Sequence, residues 1–337
     1  MSTTATAGTA PRAVGVTAGG TTTAPDPWSV RALVSALWWE VRPRTRAERW
    51  TAGAGLALAA VGLAHLGVQA VDGGAWAGPV SWRKPVVFGV SLGILLLTVA
   101  AVLRWVPGRR TQWWVAAPLV VGSVVEYAAI ASQRWRGVPS HFNDATPYDS
   151  VVFGVMAGSV GLIVAAVAVL TVVAALPRGF SGGPALRLAV LVGLAGVLVS
   201  SWVGGRMIAE GTEVVAATGA VPDSVVLGAA GSAKLFHAVG QHGLQVLLAV
   251  ALLLHVAGAP RRRALAVTAL ASLGFAGVLG GVGAAALRGE AWLALPPSLL
   301  VPAVPGVALL AAAAVAVLGH LRPAGGTLAR RPGAVVG

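Results

Sequence analysis

The sequence contains no cysteine. Disulfides, thiolate nucleophiles and Cys-ligated metals or clusters are therefore excluded. Charge is scarce as well: 10% of the 337 residues are charged, with 11 acids against 24 Lys and Arg. The apolar stretches show no alternation of period two, which speaks against a membrane β-barrel. What remains is apolar, 56% of the chain, with a mean hydropathy of +0.81. That composition overrules the two soluble domains that the length alone would allow.

Apolar runs of about 20 residues, enough to cross roughly 30 Å of hydrocarbon, recur from Thr51 to His320. They predict an all-α, polytopic membrane helix bundle, because lipid leaves no water for exposed backbone groups. Eight spans are expected, over 51–70, 85–104, 113–132, 151–176, 187–206, 234–257, 264–287 and 297–320. Pro302 and Pro305 should kink the last of them. No internal repeat is visible. Residues 1–25, rich in Thr, Ala and Gly, read as a disordered tail without a signal peptide. Asp26-Pro27 reads as a helix start. Val30, Leu33, Val34, Leu37, Trp38 and Val41 then form one apolar stripe. Residues 26–42 are therefore expected to be an interfacial amphipathic helix. Residues 321–337 form a C-terminal tail.

The basic residues set the orientation. Seven of them, Arg83, Lys84, Arg134, Arg136, Arg206, Lys234 and Arg288, fall on one side of the spans, and the remainder of the 24 on the other. The positive-inside rule places both termini in the cytoplasm of a cell with this protein in its cell membrane. All 12 tryptophans lie at or beside expected interfaces. The net charge of +13 is thus spread over cytoplasmic segments, so the partner it implies is the lipid bilayer and not nucleic acid.

The few polar residues gather toward the outer side. The stretch Q-R-W-R-G-V-P-S-H-F-N-D-A-T-P-Y-D, Gln133 to Asp149, holds Arg134, Arg136, His141, Asn143 and Asp144 between apolar runs. Glu126 lies on the face of Gln133, two turns deeper. His65 and Gln69 share a face of span 1 that Asp72 continues. Arg83 and Lys84 open span 2. Arg206, Glu210 and Glu213 follow span 5 at helical spacing, which fits an i,i+4 pair of Arg206 with Glu210. Span 6 brings His237, Gln241, His242 and Gln245. His237 and His242 sit some 140° apart on a helix, which makes them poor co-ligands of one metal, and no metal site is expected. Gln241 shares the His237 face. The inner halves hold little besides Ala, Val, Leu and Gly. These placements predict one outward polar cavity, lined by Glu126, His65, His141 and His237.

W-x-K-P at Trp82–Pro85, R-G-x-x-S-H-F-N at Arg136–Asn143 and H-x-x-x-x-H-x-x-Q at His237–Gln245 resemble recurring segments of an uncharacterised family of bacterial multi-pass membrane proteins. The resemblance covers roughly residues 51–257. It implies a grouping of these segments and no activity.

Three functions fit the residues. One is a membrane-embedded enzyme acting on a lipidic or small anionic substrate, with Glu126, His141, Asp144 and His237 in acid–base roles. His65, Gln69, Arg83, Lys84, Gln133, Arg134, Arg136, Asn143, Asp149, Arg206, Gln241, His242 and Gln245 would then bind that substrate. A second is a haem b protein with axial ligands among His65, His237, His242 and His141. The third is a transporter or ligand-sensing protein.

Overall fold

A computed structural model describes residues 29–74, 76–219 and 232–321. The expected helix start at Asp26-Pro27 and almost all of both tails lie outside the described residues. The rest is 82% helix with no strand among those residues. In chain order the helices are α1 (Val30–Val41), α2 (Arg46–Asp72), α3 (Arg83–Leu103), α4 (Arg109–Trp135), α5 (Pro147–Ala175), α6 (Pro184–Thr218), α7 (Ser232–Val256), α8 (Arg261–Leu287) and α9 (Pro297–Leu321). Eight of them, α2 to α9, are long and apolar enough to cross a membrane. The polytopic bundle is the fold.

Local chemistry explains where these helices start. Ser29 accepts the amide N–H of Ala32 at 3.2 Å and caps α1. Thr45 and Glu48 form a reciprocal capping box at the start of α2, which draws that helix back to Arg46, five residues before the first long apolar run. The stripe of α1 splits in two. Leu37 and Val41 pack on the bundle core, while Val30, Val34 and Trp38 are exposed. An ion pair of 3.1 Å between the buried Glu40 and Arg104 fastens α1 to the end of α3.

Helices pair in the same order in both halves: α2 with α3 and α4 with α5, then α6 with α7 and α8 with α9. Helix α5 joins the halves through α6, and α1 lies against α3 and α7. Small residues let the paired backbones approach. A Cβ added to Gly89 would fall 2.6 Å from the Cα of Gly62, and one on Gly306 would fall 2.7 Å from the carbonyl of Gly274. Helix α6 has 35 residues, roughly 52 Å at 1.5 Å per residue, against about 30 Å of hydrocarbon. Its last turns, with Arg206, Glu210 and Glu213, project past the expected end of span 5 at residue 206. Helix α9 runs through Pro302 and Pro305 as one helix.

Candidate functional site

The polar residues concentrate at one end of the bundle, around the turn from α4 to α5. Gly137, at φ +73°, stops α4, and its N–H and that of Val138 close on the carbonyls of Arg134 and Gln133. Thr146 caps α5 by accepting the amide of Asp149 at 3.2 Å. The Asp149 carboxylate, 2% exposed, accepts from Gln133 Nε2 at 3.0 Å, Arg136 at 2.6 Å and Thr146 Oγ1 at 2.6 Å. Gln133 Oε1 also accepts from Arg136. Three of the expected binding residues, Gln133, Arg136 and Asp149, thus hold one another and tie the two ends of the loop together.

Between those ends, the loop folds inward. Asn143 is buried; it donates to the carbonyl of Pro139 at 3.2 Å and accepts from the amide of Ala145 at 3.3 Å. Phe142 adopts the left-handed region at φ +59°, a conformation that costs a non-glycine residue free energy. Its ring lies against Gly211 in the projecting part of α6 and 5.9 Å from the ring of Phe153. Asp144, by contrast, is exposed and makes no hydrogen bond or ion pair among the described residues.

His141 stands among Phe88, Phe142 and Phe153, with ring centroids 6.0 to 6.3 Å apart. Burial first, and the charge of Lys84 second, push its pKa from 6.5 down to about 3. The imidazole is neutral at physiological pH. Lys84 Nζ donates to Ser140 Oγ at 3.3 Å, and Ser140 Oγ lies 2.8 Å from His141 Nδ1. An ammonium can only donate, so Ser140 Oγ accepts from Lys84 and links it to the imidazole. The charges of Arg83 and Lys234 also bear on Lys84. No carboxylate pairs with any of these three cations among the described residues, and Arg83 Nε is buried without a partner.

A second cluster surrounds His65, 7% exposed. Its Nδ1 lies 2.8 Å from the carbonyl of Val61 and 3.1 Å from the Tyr127 hydroxyl, while Nε2 faces Trp135 Nε1 at 3.2 Å. Asp72 accepts from Trp82 Nε1 at 2.6 Å and from Arg134 at 3.0 Å, and the guanidinium of Arg134 stacks 3.9 Å over Trp82. Gln69 turns away from His65 and donates to the carbonyls of Gly73 and Gly74, both at 3.1 Å.

The remaining expected residues stand apart from these two groups. Glu126, 2% exposed, meets Ser159 of α5 at 2.7 Å. Helix α4 runs to Trp135, so Glu126 lies nine residues, roughly 14 Å, from its end. His237 Nδ1 donates to the carbonyl of Ser200 at 2.7 Å. Gln241 faces the same helix, with Ser201 Oγ at 3.5 Å, and His242 is exposed. Gln245 turns its amide nitrogen onto the carbonyls of Gln241 and His242 in its own helix. Arg206 and Glu210 make no ion pair: Arg206 is exposed, while Glu210 is partly buried with Oε2 unpartnered.

No hydrogen bond or ring contact joins Glu126, His65, His141 and His237, and each has its own set of partners. Among the described residues no group of three or more His, Asp or Glu could hold a metal. His65 and His237 do not face each other as a haem ligand pair would. Both nitrogens of His65 are engaged, and His237 faces α6 instead of α2. Ser140, Ser159, Tyr127 and Trp135 were not among the expected site residues. Ser159 carries the one readable signal, a hydroxyl in an apolar span at a depth that could meet Glu126.

No family model, curated protein or solved structure matches the chain. The likeness of the W-x-K-P, S-H-F-N and H-x-x-x-x-H-x-x-Q segments is a likeness of short stretches, and the functional reading rests on the geometry.

Proposed function

We propose that the α4–α5 end of this bundle faces the outside of the cell membrane and binds an anionic ligand, either a lipid headgroup or a small free anion. The observation that carries this reading is the set of cations Arg83, Lys84 and Lys234, which lie within electrostatic reach of one another and make no ion pair among the described residues. Like charges left uncompensated at a bilayer boundary repel, and an anion bound among them removes that repulsion while gaining charge-assisted hydrogen bonds. Ser140 orients the ammonium of Lys84, and the neutral His141 behind it adds no positive charge to the set. The arginines from Arg42 to Arg49, Arg104, Arg109, Arg110 and Arg261 to Arg263 lie at the opposite end of the helices, which supports cytoplasmic termini.

Acid–base catalysis on the same ligand is less well supported. Glu126 has no hydrogen-bonded path to His141, and a histidine held neutral down to about pH 3 is a poor proton carrier near pH 7. Binding is tested on the purified full chain in detergent, with inorganic phosphate and with phosphatidylglycerol as probes and phosphatidylcholine as the uncharged-headgroup control. Phosphate or phosphatidylglycerol should raise the melting temperature of the wild type. Lys84→Gln combined with Lys234→Gln should weaken that binding by at least about tenfold, roughly 1.4 kcal/mol. Equal binding by wild type and double variant, or no preference over phosphatidylcholine, overturns the reading.

A further inference from the structure

The hydrogen bonds around Glu126 supply too few protons for a carboxylate. Ser159 Oγ lies 2.7 Å from Glu126 Oε2 and 2.8 Å from the carbonyl of Met156 in its own helix. A hydroxyl has one hydrogen to give. If that hydrogen goes to Met156, Ser159 can only accept from Glu126. If it goes to Glu126, it is the sole donor that the acid has among the described residues. Ser123, one turn earlier on α4, is fully buried and its Oγ has no partner.

Nothing charged answers a negative Glu126. Among the described residues no Arg, Lys or His lies within ion-pair distance. On the neighbouring face of α4, Tyr127 is bonded to His65 of α2. Two turns along, Gln133, Arg136 and Asp149 are closed on one another. An ionised carboxylate so enclosed, in the middle of a helix long enough to cross the bilayer, is strongly disfavoured without a paired charge.

We propose that Glu126 is a membrane-embedded proton-binding site that holds its proton at neutral pH. The neutral acid donates to Ser159 Oγ, Ser159 donates to the carbonyl of Met156, and every hydrogen in the chain has an acceptor. Release of the proton leaves a buried negative charge with the Ser159 hydroxyl as its sole donor among the described residues. This site is separate from the cation cluster, and it stands whether or not an anion binds there.

Infrared spectroscopy of the full chain reconstituted in bilayers at neutral pH, in H2O and in D2O, tests it. The wild type should show the carbonyl stretch of an un-ionised carboxyl group, shifted by D2O. Glu126→Gln should remove that band, and Ser159→Ala should move it to higher frequency by taking away the acceptor. A wild type without the band, or a band unchanged in Glu126→Gln, overturns the proposal. If the Gln variant does not fold, Ser159→Ala decides: a band it leaves unshifted belongs to another acid, and the proposal fails.

Discussion

The indole N–H of Trp135 donates to Nε2 of His65 across 3.2 Å, and that contact settles the tautomer of the ring. An indole nitrogen can only donate, so Nε2 carries a lone pair and Nδ1 carries the hydrogen, which goes to the carbonyl of Val61. The ring therefore bridges α2 and α4. Trp135→Phe leaves Nε2 without its donor, and the loss should be about 1 kcal/mol, as for a single neutral hydrogen bond. Thermal unfolding in detergent would show a lower midpoint with anion binding unchanged. An unaltered midpoint would mean that water or a lipid headgroup replaces the indole.

Asp149 presents a larger stake. Its buried carboxylate takes three side-chain hydrogen bonds and holds the start of α5 against the end of α4. Arg136 is partly exposed, with 38% of its side chain accessible, so solvent screens part of its charge. Asp149→Ala should lower the melting midpoint, chiefly by leaving Gln133 Nε2 and the Thr146 hydroxyl without their acceptor. Limited proteolysis gives a local readout, since cleavage near the exposed Asp144 should accelerate. Unchanged cleavage with an unchanged midpoint would remove Asp149 as the tie of this loop.

His141 makes the stability of the loop depend on pH. Its folded pKa, about 3, lies below the ordinary value of 6.5, so between those values the unfolded chain binds a proton that the folded chain does not. Stability is then fully present above about pH 6.5 and falls as the pH drops toward 3. His141→Asn, with no titrating ring, should flatten the curve of melting temperature against pH over that window. A wild-type slope that survives the substitution would assign it to another group.

The long apolar runs made the bundle readable, because each span must be apolar along most of its length whatever its neighbours are. Rotation about a helix axis is another matter. The apolar positions around Glu126 say nothing of which neighbour it faces, and its partner Ser159 comes from a stretch with no pattern of its own. The stripe on α1 is divided between core and surface for a related reason. Hydrophobicity places Leu37 and Trp38 on one broad face, but only packing separates the residue that meets the core from the one left outside. The length of α6 escaped because its last turns are polar enough to end a membrane span yet still form helix. Spacing did read α7 correctly: His237 and Gln241 face α6, and His242 points away.

Orientation is the remaining expectation that bears on every site above, and labelling decides it. Ser140 is a poor position for a probe, being 3% exposed; Asp144 and Arg262 are both exposed and lie at opposite ends of the bundle. The chain has no cysteine of its own, so Asp144→Cys and Arg262→Cys each give a single thiol. Neither residue takes part in a cap, an ion pair or the cation cluster, so both variants should fold. With cytoplasmic termini, an impermeant maleimide added to intact spheroplasts should label position 144 and spare 262, and lysis should expose 262. The arginine-rich end then faces the negative interior, as the charge distribution requires. Labelling at 262 but not at 144 would invert the protein, place the cation cluster in the cytoplasm, and redirect the search for its anion to the ligands inside the cell.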